Sequence, residues 1–211
     1  MLCYFLQPGE GPLQAELSKL QAARASRNEE MVRRLAAAGI PITLAEVEEE
    51  SGGGSTGRPH IAAVLLAKGV VASLEEAFDR WIGEGRPAYV TASRLDPLAA
   101  ARLAAESGAV VSLAHPLRLG LSPAALHSAI RELAEGGFAG IEVYHPSSDP
   151  TNTAMLAAMA SEASLVATGG SDFHGTYKPD IRIGVGRGDL AVAPSAVEEL
   201  AARLPIRPAQ W

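Results

Sequence analysis

Residues 139–146 read AGIEVYHP, a short apolar run with a glutamate at its centre and a histidine and proline at its end. A run of this length rich in Ile, Val and Tyr describes a buried strand, yet a carboxylate inside one is costly unless something pairs with it. Two more runs share the form: AVVSLAHP (109–116) upstream and LVATGGSDFH (165–174) downstream. Helical patterns separate them, DPLAAARLAAESG (96–108), SPAALHSAIRELAEGG (122–137) and TNTAMLAAMASEA (151–163), and SAVEELAARL (195–204) follows. Continuous apolar strands alternating with amphipathic helices predict an α/β fold whose parallel sheet is covered on both faces.

The polar residues gather at the strand ends. His115 closes the first run, Glu142 and His145 the second, and Asp172 and His174 the third. In a parallel sheet these ends share one rim, where active sites are built. Each residue also has a plain structural reading: a histidine before proline is commonly structural, and Gly, Ser and Asp in TGGSDFHG (168–175) are turn residues. The sharper reading is a metal site. An extended Asp-X-His points its side chains apart, but a turn after Asp172 lets both meet one cation, and carboxylate with imidazole suits Zn, Mn or Fe. His127 sits between apolar residues of a helix and reads as packed or solvated, and His145, one step past its strand, is open to either reading.

The first 85 or so residues differ. A long helix over 13–39 ends at Gly39, Thr43 caps a short helix over 44–50, and a glycine loop follows at 52–54. RPHIAAVLLAKG (58–69) and SLEEAFDRWIGEG (73–85) read as two short helices, with Ser73 and Glu76 forming a capping box. MLCYFL (1–6) reads as the end of a strand that leaves through a Pro-Gly turn. Candidate anion-binding arginines are Arg27, Arg58, Arg86, Arg118, Arg182 and Arg187, because guanidinium groups grip phosphate bidentately. Arg58 leads, since it opens a helix beside a glycine-rich loop.

Composition bounds the rest. The 211 residues are 47% hydrophobic but only 5% aromatic, so helices packing on small side chains are expected. A net charge of −6 and a pI near 5.4 speak against broad binding to duplex DNA or a membrane surface. No apolar run reaches about eighteen residues, and a single cysteine fits a reducing cytoplasm.

Together SLAHP (112–116), GIEVYHP (140–146), GGSDFHG (169–175) and GRPHIA with GRPAYV (57–62, 85–90) resemble the PHP (polymerase and histidinol phosphatase) domain. More narrowly they look like its TrpH-like branch, which includes a 3′,5′-nucleoside bisphosphate phosphatase and a 5′-to-3′ exoribonuclease. The resemblance covers nearly the whole chain. It implies an incomplete, distorted (β/α)7 TIM-like barrel of PHP type with a small helical insertion domain. Residues 1–11 would end a barrel strand, 12–85 form the insertion, and 86–211 supply the C-terminal part of the barrel. The activity implied is metal-dependent hydrolysis of phosphate monoesters on nucleotides or RNA 5′ ends by metal-activated water. By the same resemblance His115, Asp172 and His174 are metal ligands for Mn, Zn or Fe. Arg27, Asn28, Arg58, His60, Arg86 and Arg118 contact substrate, and Glu142 is a further candidate for catalysis. Where Arg86 stands the family often has Lys.

The departure lies at the front. The family's opening His-X-His strand, and the aspartate, histidines and glutamate that follow, have no counterpart here. The expectation is the C-terminal two-thirds of a longer protein, with weak metal binding and little turnover. The alternative is a catalytically inactive phosphate- or nucleotide-binding remnant of the same fold.

Overall fold

The computed structural model describes residues 1–175 and 179–205. The chain divides into two compact units, one of Gln14–Arg94 and one of Met1–Leu13 with Leu95–Trp211.

The 14–94 unit is helical. Helix α1 (Pro12–Ala37) enters it, and Gly39, at φ 83°, ends that helix in the left-handed conformation that glycine adopts without strain. Thr43 caps α2 (Leu44–Glu50): its hydroxyl accepts the Glu46 N–H while the Glu46 carboxylate accepts the Thr43 N–H at 2.8 Å. Helix α3 (Arg58–Ala67) follows, then α4 (Leu74–Ala77) and one π turn over Phe78–Ile82. Ser73 caps α4 as expected, but the Glu76 carboxylate accepts the N–H of Ala72 at 2.7 Å rather than that of Ser73. The side chain reaches one residue further upstream than a capping box would take it. Met31, Leu35, Val47, Ile61, Leu65 and Ile82 are fully buried in one core. Each contributes about 1.5–3 kcal/mol through burial.

The second unit holds the sheet. Strands β1 (Leu2–Tyr4), β2 (Val110–Leu113), β3 (Gly140–Tyr144) and β4 (Val166–Gly169) lie in the order β1-β2-β3-β4. Strands β2, β3 and β4 are parallel, joined through α6 (Pro123–Glu135) and α7 (Pro150–Glu162), while α5 (Pro97–Glu106) precedes β2. β1 corrects the all-parallel expectation, because it runs antiparallel to β2 with Cys3 opposite Val111. Parallel strands need a crossover connection, but a helical connection does not itself fix direction, and the chain that leaves β1 returns through α5 to run β2 the opposite way. Val111, Ile141 and Val143 pack with Ala104, Leu126, Ile130 and Leu156 of α5–α7. Val110 and Val166 pack with Ala196 and Leu200 of α8 (Ser195–Ala201), so both faces are covered. The class is α/β, and among the described residues the sheet is mixed and four-stranded, where the resemblance implies an incomplete, distorted (β/α)7 barrel.

Candidate metal and phosphate sites

The ends of β2, β3 and β4 do converge. His115, just past β2, is left-handed at φ 33°, and Asp172, past β4, at φ 52°. For residues with a full side chain this costs on the order of 1–3 kcal/mol and persists only where the surroundings enforce it. At His115 the enforcing group is Glu142, whose Oε2 accepts the His115 backbone N–H at 2.6 Å. Glu142 is only 5% exposed. Its carboxylate is thereby occupied in holding a backbone, and the cost of burying it is offset by a charge-assisted bond. A Cβ at Gly170 would lie 3.2 Å from Glu142 Oε1, so glycine leaves that oxygen its space.

Asp172 is surrounded by donors. Its Oδ2 lies 3.4 Å from Arg118 Nη2 and 3.5 Å from His145 Nε2, and its Oδ1 3.5 Å from His174 Nδ1. His145 Nδ1 accepts the Ser147 N–H at 3.1 Å, which puts the neutral ring's proton on Nε2, facing Asp172. That buried Nε2 has no closer acceptor, and 3.5 Å is long for a hydrogen bond. His174 Nδ1 donates to the Asp172 carbonyl at 2.7 Å, so the lone pair of its other nitrogen is left for a ligand.

A polar stripe on one sheet face was not anticipated from the sequence. Ser112, Glu142 and Thr168 are buried on neighbouring strands, and the hydroxyls of Ser112 and Thr168 meet at 3.0 Å across Gly140. A Cβ at residue 140 would lie 3.2 Å from Ser112 Oγ and 3.2 Å from Thr168 Cγ2. Tyr4 of β1 joins them: burial pushes its phenol pKa up, the Glu142 charge adds to this, and its bond to Thr168 opposes it. The signal was present, since Ser112, Glu142 and Thr168 are the polar residues inside three apolar runs.

In the helical unit, arginines gather around buried polar groups. Arg27 Nη2 donates to Asn28 Oδ1 at 2.8 Å, and Asn28, completely buried, donates from Nδ2 to Thr56 Oγ1 at 3.2 Å. Arg58, the first residue of α3, lies over the rings of Phe78 and Tyr89 at 5.7 and 5.8 Å from their centroids. Such cation–π contacts fix a guanidinium without neutralising it. Arg34 Nη1 donates to the Tyr89 carbonyl at 2.7 Å and anchors that segment. The Arg27 pKa is lowered, first by burial, then by the Arg58 and Arg24 charges. His60 serves the helix: its Nδ1 accepts the Gly57 N–H at 3.0 Å.

The remaining candidates scatter. Arg86 is exposed, and Arg118 belongs to the sheet unit beside Asp172. Arg187 pairs with Asp180 at 2.9 Å, and Arg182 bonds through its backbone to Gly186. His127 on α6 faces Glu162 of α7 at 2.9 Å.

Asp172 and His174 offer oxygen and oriented nitrogen donors of the kind a divalent metal takes. Their number falls short. Among the described residues no three His, Cys, Asp or Glu side chains come together as a metal cage.

Comparison with known proteins points in one direction. The chain is 30% identical to the 5′-3′ exoribonuclease Rnm of Escherichia coli over 164 residues, covering 77% of this chain and 56% of the relative. It is 31% identical to a Haemophilus influenzae 5′-3′ exoribonuclease (76% and 58%) and 27% identical to a Chromobacterium violaceum 3′,5′-nucleoside bisphosphate phosphatase (80% and 60%). A solved structure from Bifidobacterium adolescentis, assigned as a metal-dependent phosphoesterase, superposes with TM-score 0.77 at 28% identity, covering 95% of this chain and 70% of that one. An amidohydrolase from Chromobacterium violaceum, solved with bound sulfate and no metal, gives 0.75 at 26% (95% and 71%). The similarities support a PHP-like family. No family model matches the chain. The chain spans little more than half the length of these curated relatives.

Proposed function

We propose that the chain belongs to a metal-dependent phosphoesterase that hydrolyses phosphate monoesters of nucleotides or RNA 5′ ends, in the manner of a 3′,5′-nucleoside bisphosphate phosphatase. The observation that carries this reading is the gathering of acid and imidazole groups at the ends of β2–β4, with His174 turned so that one ring nitrogen is available. The named relatives cleave phosphoesters, and the arginines of the helical unit are suited to phosphoryl oxygens. In this reading Asp172, His174 and His115 contribute to a divalent centre, and Arg27 and Arg58 hold the substrate. Arg118, Arg86 and His60 assist from their own positions, and Asn28 aligns Arg27. Glu142 acts through the His115 backbone rather than on substrate. Substrates are small phosphorylated nucleotides or RNA ends rather than DNA duplexes, in a cytoplasmic setting that the lone cysteine suits. No helix among the described residues is long and apolar enough to cross a membrane.

A divalent metal supplies Lewis-acid activation of water and of the phosphoryl group. The described residues fit only part of such a centre, and what they do by themselves is bind and orient. That observation favours a second reading, in which this chain binds phosphorylated nucleotides without hydrolysing them. Phosphate release from a 3′,5′-nucleoside bisphosphate with added Mn separates the two readings. The expected result for these 211 residues is nucleotide binding with turnover at or near background. Robust turnover that is chelator-sensitive and lost in Asp172→Ala would show that the rim suffices and remove the second reading. Absence of binding would overturn both.

A further inference from the structure

Resting on that reading of the Arg27–Arg58 site, we infer that the helical unit carries a second phosphate subsite beside it, formed by Arg24 and the 53–56 loop, for a second phosphate group of the same substrate. Arg24 stands three residues before Arg27 on α1, so the two share a helix face. Its Nη1 donates to Ser55 Oγ at 2.8 Å. Arg24, Gln21, Ser55, Thr56 and the backbone of Gly53 and Gly54 line an open cavity of about 340 Å³, within the size range of small-ligand sites. Thr56 is the shared wall: it lines this cavity, and its hydroxyl accepts from Asn28, which in turn holds Arg27. Gly52 and Gly53 are left-handed, at φ 61° and 82°, and a Cβ built on either would meet nothing within 4 Å, so an anion can approach the loop backbone closely.

Charge points the same way. Arg33 and Arg34 pair with Glu30, and Arg80 with Glu76, in the same unit. Arg24, Arg27 and Arg58 have no carboxylate partner among the described residues, although their charges are close enough to depress the Arg27 pKa. The mutual repulsion of guanidinium groups held by a serine, an asparagine and two aromatic rings is relieved when each subsite takes a phosphate of its own, one at Arg27 and Arg58 and one at Arg24. The second phosphate has two chemical sources: the other terminal phosphate of a bisphosphate nucleotide, or the phosphodiester leading to the next nucleotide of an RNA.

The experiment is metal-free calorimetric binding to the full chain of adenosine 5′-monophosphate, adenosine 3′,5′-bisphosphate and a 5′-phosphorylated adenosine dinucleotide. At least one ligand with a second phosphate should bind about tenfold tighter than the monophosphate, in keeping with one added charged hydrogen-bond set. Arg24→Ala should erase that gain while leaving monophosphate affinity within about twofold, and the ligand that loses its advantage identifies the source. Equal affinity for all three ligands, or an equal loss for all three in Arg24→Ala, overturns the subsite and leaves the first phosphate site standing. If the monophosphate does not bind, or binds equally well to Arg27→Ala, the underlying reading fails as well.

Discussion

The sheet rim and the arginine cluster solve the problem of holding charge in place by opposite means. At the rim, positions are set through the backbone: two left-handed residues, one pinned by a buried carboxylate, the other flanked by a buried imidazole. In the helical unit, positions are set through side chains, with neutral groups gripping cations whose charges remain uncompensated among the described residues. The contrast teaches that the two sites have different requirements. Among the described residues the arginine cluster presents three groups of one kind, whereas at the rim no three His, Cys, Asp or Glu side chains come together as a metal cage. Phosphate recognition is therefore expected to be the more robust property of this chain.

The strongest way to break that contrast is Arg58→Ala. It removes the guanidinium that lies over Phe78 and Tyr89, and adenosine monophosphate binding should fall about 10- to 100-fold, with no response to a chelator. If affinity survives, or if EDTA lowers it, phosphate recognition is not seated where the arginines are.

Next comes Gly169→Ala in β4. The added Cβ would lie 2.6 Å from the Tyr144 carbonyl, backbone of the paired strand β3 that cannot yield cheaply, and 2.7 Å from Val192 Cγ2. Overpacking of this kind costs about 1–3 kcal/mol, read from urea unfolding of the sheet unit. Monophosphate affinity should be unchanged, and a joint loss of both would mean that the two properties are not separable.

A smaller effect is expected for Glu142→Gln, which keeps an acceptor for the His115 N–H but exchanges a charge-assisted bond for a neutral one. The loss should be about 1 kcal/mol in metal-free unfolding. Glu142→Ala, which orphans the N–H, should cost more. If Gln and Ala variants match wild type, Glu142 is not what holds His115.

The smallest effect concerns Glu30, whose carboxyl is held down at about 2 by hydrogen bonds from Arg33 and Arg34. A depressed carboxyl contributes stability above the ordinary carboxylate range and loses it as pH falls from that range towards 2. These ion pairs lie at the surface, with water reaching both partners, so the drop should be slight and should shrink with added salt. Glu30→Gln should flatten that part of the pH profile, and a profile unchanged by the substitution would mean the cluster adds nothing.

What the sequence made legible follows from how local each signal is. AVVSLAHP, AGIEVYHP and LVATGGSDFH announced three strands because continuous apolar runs are readable within a few residues, and Thr43 announced its cap for the same reason. The direction of β1 was not legible. It depends on pairing Cys3 with Val111 across the intervening chain, and no local residue encodes it. The π turn over Phe78–Ile82 left no pattern either; its only trace is Gly83, where a Cβ would sit 2.5 Å from the Phe78 carbonyl. Strand ends marked His115, Asp172 and His174 as candidates, and Asp172 and His174 do lie together, but nothing local told that Glu142 bonds to the His115 backbone. Arg27 and Arg58 were marked as anion-binding candidates by residue type and, for Arg58, by its place at a helix start, whereas Arg24, with no such local sign, was not marked at all.

Gly140 carries a consequence for the order in which the sheet assembles. It sits in ordinary strand geometry, so space and not backbone conformation is what demands glycine there. Ser112 and Thr168 touch over it although their strands never pair with each other and the residues stand 56 apart in sequence. That bond can form only once β3 has docked between β2 and β4, so it belongs to the closing stage of folding. Interactions made that late act on the rate of unfolding more than on the rate of folding. The hydroxyl pair works as a latch on the finished sheet, placed where the strands that bear the rim are held side by side.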